Sequence, residues 1–216
     1  MKYTDLGIDI ETLGTKYNAP IMSIGAQAFN LDTGKMGPTF YLEVAFDSAV
    51  KSGVPSGATI AWWLRQKDAA LRLFAEDTEG KKAPLATALH ALVNFWRENC
   101  DSQTRAWGNG ATFDLGILEY QFDVGAVGLT PPWQFKRLRD QRTIQEAAEQ
   151  LALFDVKEVG SFGTHHNALA DAQWSAAVIC ASWKALRDMR DPKGAPRAQP
   201  SKTPAPAPAI DDDEEL

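Results

Sequence analysis

YTDLGIDIET, residues 3–12, is the stretch on which the reading of this chain turns. Leu6, Ile8 and Ile10 alternate with Asp5, Gly7, Asp9 and Glu11, the period-two pattern of a half-buried strand. Side chains two apart on a strand share a face, so Asp9 and Glu11 point one way and Ile8 and Ile10 the other. Two adjacent carboxylates repel, and burying them is costly unless a cation stands with them. Mg²⁺ or Mn²⁺, which prefer oxygen ligands, would offset that cost. An acidic pair on a solvent-facing edge strand is the alternative. The same D-x-E spacing recurs at 77/79, 212/214 and 213/215, but only 9/11 lies in an apolar alternation.

Working outward, PIMSIGAQAFN (20–30) and GPTFYLEVAF (37–46) read as two further strands, joined by a turn signal, DTG, at 32–34. Together with the first strand they form a meander. Helices follow. One starts at Thr59 and carries Ile60, Trp62, Trp63 and Leu64; a short one covers 68–77 and is broken by DTEGKK. A third, 84–99, places Leu85, Leu89, Leu92, Val93 and Trp96 on one face. TRAWG (104–108) is a short strand before a helix that begins near Phe113, with Leu115, Leu118 and Phe122 in phase. WQFKR (133–137) reads as another strand, Thr143 opens a helix, and a last helix runs from about Asn167 to Arg190. A meander followed by alternating strands and helices is an α/β layout: a central mixed sheet, antiparallel then parallel, flanked by helices.

The chain has 216 residues, 44% of them apolar, which suits one globular domain with an appendage. No apolar run approaches the roughly 18–20 residues that span a bilayer. The acidic N-terminal stretch is unlike a secretory leader. Two distant cysteines, Cys100 and Cys180, make neither a disulfide framework nor a zinc spacing. A cytoplasmic protein without membrane association is the expectation. The boundary falls at Arg190: 1–190 is the folded domain, and 191–216 is a Pro/Ala-rich, disordered linker with an acidic tip. That segment holds six acidic and three basic residues, half of the net charge of −6. The body is therefore only mildly acidic, and a local basic stripe can still contact phosphates. The densest basic run is FKRLRDQRT, with Lys136, Arg137, Arg139 and Arg142; it holds phosphates or is a solvated charged face.

Two more segments carry chemistry. In WGNGATFDLGILEY (107–120), Asn109 and Gly110 suit a tight turn at a strand's end. Asp114 falls in the first turn of the next helix, where a carboxylate either caps the helix or faces the crevice in which α/β folds bind ligands. In HHNALADAQW (165–174), His166 and Asp171 stand five apart at the start of the final helix. An imidazole is suited to deprotonating water. His165 reads as a spectator and His90 as a packed or surface histidine.

The order D-x-E-T, then N-x-x-x-F-D, then H-x-x-x-x-D resembles the DnaQ-like (DEDDh) 3′→5′ exonucleases of the RNase H-like superfamily, over about residues 5–190. APIMSIGAQAF, TIAWWLRQ and RDQRT resemble its exonuclease VIII-like, 3′–5′ exoribonuclease branch. The resemblance implies an RNase H-like fold and phosphodiester hydrolysis with two Mg²⁺ or Mn²⁺ ions. Asp9 would bridge both ions, and Glu11 and Asp171 would complete the site of the attacking water. Asp114 would hold the second ion, and His166 would be the general base. Thr12, Leu13 and Gly14 match the segment that touches the terminal nucleotide, with Leu13 either a wedge against the last base or ordinary core. Asn109 and Phe113 match the segment beside the second ion, Phe113 alternatively packing.

Adjacent on a helix, Trp62 and Trp63 point about 100° apart, so one suits the core while the other is exposed and able to stack a base. The expected activity is removal of nucleoside 5′-monophosphates from the 3′ end of DNA or RNA, single-stranded or a 3′ overhang. A non-catalytic nucleic-acid-binding or adaptor module on the same fold, and a small-molecule phosphoesterase, are the alternatives. The tip DDDEEL resembles the tails by which single-strand binding proteins recruit protein partners, although it ends in Leu rather than an aromatic. A solubilising or strand-mimicking tail is the other reading.

Overall fold

The computed structural model describes residues 2–66, 71–74, 82–125, 128–163 and 165–190. The helix expected at 68–77, the DTEGKK break and the tail 191–216 fall wholly or largely outside them; within the first, Arg72–Phe74 form a 3₁₀ turn. The strands are β1 (Asp5–Thr12), β2 (Ile21–Asn30), β3 (Lys35–Val44), β4 (Lys82–Ala83), β5 (Arg105–Gly108) and β6 (Leu138–Asp140). The helices are α1 (Phe46–Lys51), α2 (Gly57–Trp63), α3 (Leu85–Asn99), α4 (Ala111–Gly125), α5 (Gln141–Gln150) and α6 (Ala168–Arg190). The strands form one sheet in the order β4-β3-β2-β1-β5-β6. β1–β2 and β2–β3 pair antiparallel, whereas β5 runs parallel to β1, β6 to β5 and β4 to β3. The expected α/β architecture, a meander continued by parallel strands, is therefore present.

β1 lies at the centre, between an antiparallel and a parallel neighbour. Its Leu6, Ile8 and Ile10 enter the main core, with Leu85, Leu89, Leu92, Val93 and Trp96 of α3 and Leu115, Leu118 and Phe122 of α4. Those α3 and α4 positions are the apolar stripes of the sequence, which no face but the core could shelter. The opposite face of the sheet carries α6, which crosses β2 and β1 over a smaller core of Phe29, Leu31, Trp107, Ala176 and Ile179. Asp5, Gly7, Asp9 and Glu11 belong to this second face. At Gly25, paired with Asp9 across β1–β2, an added Cβ would stand 2.2 Å from the backbone of Ala168. Only glycine lets the first turn of α6 approach the sheet this closely.

Two local expectations are corrected. WQFKR is not a strand: Phe135–Arg137 form a 3₁₀ turn, closed by the Arg137 N–H on the Gln134 carbonyl at 2.8 Å. The strand follows at Leu138–Asp140, because register with Ala106, Trp107 and Gly108 requires it there. Trp133 instead turns inward, its ring 5.9 Å from Trp96 and 6.0 Å from Phe122. Helix α4 begins at Ala111, two residues before Phe113. Helix α1 and the short β4 had no periodic signal of their own. Among the described residues no helix is long and apolar enough to cross a membrane.

Candidate active site

The carboxyl ends of β1 and β5 lie side by side, and the start of α6 descends on them. This is the crevice at which open α/β sheets bind ligands. Asp9 and Glu11 leave β1 on the α6 side. Asp171, in the first turn of α6, comes from above, and Asp114, in the first turn of α4, comes from the β5 side. Oxygens of Glu11 and Asp171 and a ring nitrogen of His166 all lie within 4.8 Å of one another. Asp9 feels the charges of Asp114, Glu11 and Asp171. The five residues expected to carry chemistry thus meet at one place, from positions 162 residues apart at the extremes.

Their electrostatics are those of an uncompensated acidic cluster. Asp9 is held well above the ordinary carboxylate range, first by burial and then by Asp114, Glu11 and Asp171. Burial, then Asp171 and Asp114, push Glu11 up to about 8. Burial lifts Asp114 to about 7, against the pull of the Ile10 and Asn109 N–H groups, its own N–H and Arg142. Asp171 is raised by burial, against the opposing influence of His166 and His165.

Asp5 supplies the contrast. On the same face of the same strand, it accepts from Arg105 Nε at 2.7 Å and Nη2 at 2.8 Å, Trp107 Nε1 at 2.7 Å, Thr4 Oγ1 at 2.6 Å and the Leu31 N–H at 3.2 Å. A buried carboxylate with its own cation and full hydrogen bonding is structural. Among the described residues, no hydrogen bond reaches the carboxylates of Asp9 or Glu11, and Asp114 Oδ2 is buried without a partner. An all-oxygen set of this kind, with one imidazole beside it, fits hard divalent cations such as Mg²⁺ or Mn²⁺.

The surrounding residues divide. Thr12 is buried, its hydroxyl donating to the Gly14 carbonyl at 2.6 Å. Leu13 is fully buried within the main core, so of its two readings the core one describes it and a wedge against a base does not. Gly14 is buried against Ala19. The Asn109 side-chain oxygen accepts from Arg142 Nε at 3.2 Å, and Phe113 is half-buried on the main core. Arg142 is thereby the member of the basic run tied to the site's edge; Lys136 is exposed, and Arg139 Nη1 donates to the Lys136 and Leu138 carbonyls. Trp63 is buried and Trp62 exposed, the division expected of adjacent helical positions. His165 is exposed.

Three contributors had no signal that sequence reasoning used. Gly25 admits α6. Asp140 accepts from the Ala111 N–H at 2.6 Å and the Thr143 N–H at 3.2 Å, so one carboxylate caps α5 and pins the start of α4 beneath Asp114. Its pattern, Asp140 three residues before Thr143, was legible as an N-cap. Ser23 lies across from Glu11 with its hydroxyl unpartnered.

A family model described as 3'-5' exoribonuclease Rv2179c-like domain matches residues 4–183. No curated protein matches the chain. Several solved structures share the fold. Cell-death related nuclease 4 (CRN-4) aligns at 12% identity with a TM-score of 0.59, over 82% of this chain and 63% of its own. The chain therefore spans less than two thirds of that nuclease. The nuclease domain of 3'hExo, described as a DEDDh family member bound to rAMP, aligns at 15% identity and TM-score 0.51, over 86% of this chain and 93% of its own. Pop2p of S. pombe, in an Mg²⁺- and Mn²⁺-bound form, aligns at 12% and 0.51, over 87% and 84%. At such identities the likeness is one of fold.

Proposed function

The chain belongs to the 3'-5' exoribonuclease Rv2179c-like domain family, and from that premise we propose that it is a metal-dependent 3′→5′ exonuclease of the DEDDh type. It hydrolyses phosphodiester bonds of RNA or DNA from a free 3′ end, single-stranded or overhanging, and releases nucleoside 5′-monophosphates. The observation that carries the reading is the contrast on β1: Asp5 is ion-paired and fully hydrogen-bonded, while Asp9 and Glu11 join Asp114 and Asp171 in a cluster that, among the described residues, holds no ion pair. The family description puts RNA first.

Asp9, Glu11 and Asp171 would hold one divalent ion, Mg²⁺ or Mn²⁺, and Asp9 with Asp114 a second. Bound there, the ions supply charge neutralisation at the attacking and leaving oxygens. His166, beside Glu11 and Asp171, accepts the proton of the attacking water. Water attacks the terminal phosphorus, and the bond to the 3′-oxygen of the preceding nucleotide breaks. Thr12 and Gly14 hold the turn after Glu11 against which the terminal sugar rests; Asn109 and Phe113 border the Asp114 side. Arg142, tethered to Asn109, is placed to meet a phosphate. The two cysteines, Cys100 in the main core and Cys180 beside the smaller one, are both free thiols, which suits a reducing, cytoplasmic setting, and the acidic tip at 211–216 is a candidate contact for a protein partner.

Matched RNA and DNA oligonucleotides, single-stranded and 3′-overhanging, with Mg²⁺ or Mn²⁺ and product mapping, test the proposal. Stepwise loss of 5′-monophosphates from the 3′ end, reversibly stopped by EDTA, is expected. Asp9→Ala removes activity nearly completely while the protein remains folded. Normal turnover by pure Asp9→Ala would sink the two-ion site.

A further inference from the structure

His166 sits at the site in an unusual state. Its backbone is left-handed, φ 62°, a region that few non-glycine residues occupy. Its N–H donates to Asp171 Oδ2 at 3.1 Å, which fixes the backbone but not the ring. Among the described residues no hydrogen bond reaches the imidazole. Two indoles meet it instead: the Trp62 ring at 4.8 Å and 85°, and the Trp63 ring at 6.0 Å and 77°. Edge-to-face contacts of this kind orient rings because the positive edge of one meets the negative face of the other.

Trp63 also binds the other half of the site. Trp63 donates its indole N–H to the Thr12 carbonyl at 2.8 Å, one residue beyond Glu11. The loop before α2 adds a second tie, from the Ser56 N–H to the Leu13 carbonyl at 2.7 Å. Helix α2 therefore grips the end of β1 through Trp63 and leans on His166 through Trp62, whose own ring lies 5.1 Å from that of Trp63.

We propose that the Trp62–Trp63 pair is a clamp that sets the His166 imidazole against the β1 carboxylates, and that Trp62 is a positioning residue for hydrolysis. This rests on His166 being the general base. Trp62 is 37% exposed, so stacking on a substrate base is the competing role. The two separate kinetically: stacking acts on substrate affinity, positioning on the rate of the bound complex.

Trp62→Leu and Trp62→Phe are compared with wild type in single-turnover cleavage of a single-stranded RNA oligonucleotide at saturating Mn²⁺. Oligonucleotide Kd, Mn²⁺ affinity and the NMR shift of the His166 ring proton are measured alongside. Misplacement by about 1 Å costs up to roughly 10²-fold in rate, so Trp62→Leu is expected to slow the bound complex about 10–100-fold with both affinities little changed. Its His166 ring signal should lose the ring-current shift of wild type, and Trp62→Phe should restore most of the rate and part of the shift. A higher Kd with an unchanged rate overturns the proposal in favour of stacking. An unmoved His166 signal overturns it too. Should Trp62→Leu not melt cooperatively, Trp62→Phe and its ring signal decide alone. A wild-type rate in His166→Ala would overturn the base reading, and the ring signal would still report whether the clamp exists.

Discussion

Asp5, Asp9 and Glu11 leave one face of one strand, and their neighbours give them opposite fates. Arg105 and Trp107 of β5 reach Asp5, whereas the ladder between β1 and β5 ends at Gly7 and Trp107, leaving the next two carboxylates to face a crevice. Period-two spacing placed all three on that face, but nothing in spacing distinguishes a paired carboxylate from one awaiting a cation. The partner of Asp5 lies 100 residues away, and that is why the distinction needed the fold. Leu13 is the same case in apolar form: wedge and core have identical local sequence, and burial alone separates them. The histidines were separable in sequence, because only His166 stands five residues before Asp171. His166→Ala is expected to lose about 10²–10⁴-fold in single-turnover rate, the usual worth of a general base, while Mn²⁺ affinity persists in the four carboxylates. His165→Ala, removing an exposed side chain, should cost far less. The reverse order of effects would overturn the assignment.

Helix α6 brings both Asp171 and His166 to β1, and Gly25 determines how close it comes. Gly25→Ala would drive a Cβ to 2.2 Å from the Ala168 carbonyl carbon and oxygen and 2.4 Å from the Leu169 nitrogen. Backbone cannot swing aside as a flexible side chain does, so the first turn of α6 must lift. Overpacking of this kind costs typically 1–3 kcal/mol, about that much stability by chemical denaturation. The lift also carries Asp171 from Glu11, so calorimetry should record weaker Mn²⁺ binding by Gly25→Ala than by wild type. Unchanged binding would mean that the sheet, not the helix, gives way. At this scale the sequence was most readable where a stripe has one possible destination, as with α3 and α4. It misled at WQFKR, whose aromatic and basic residues look like a strand until the pairing of β6 with β5 claims the next three residues instead.

The whole molecule inherits the cost of the cluster. Glu11 and Asp114 have folded-state values of about 8 and about 7, above their ordinary 4.5 and 3.8. A group with a raised folded value binds its proton more tightly when folded, so its stabilising contribution is full below the ordinary value and lost as pH rises through the folded one. The metal-free protein should therefore lose melting temperature between about pH 4 and pH 8 from this cluster. A divalent cation that binds only the folded form opposes the loss, most strongly at the upper end. Melting curves in EDTA and in excess Mn²⁺ across that range test this: a Mn²⁺ increment that fails to grow with pH would contradict it.

Asp9 belongs to the first strand of the sheet and Asp171 to the last helix, with most of the domain between them. During synthesis the amino-terminal strands leave the ribosome first, at ~5–20 residues per second, and roughly ten to thirty seconds pass before Asp171 can follow. Through that interval the emerging polypeptide holds only part of the ligand set proposed for hydrolysis. In the nuclease proposed above, assembly in this order leaves the ligand set incomplete beside the messenger being translated until Asp171 has emerged.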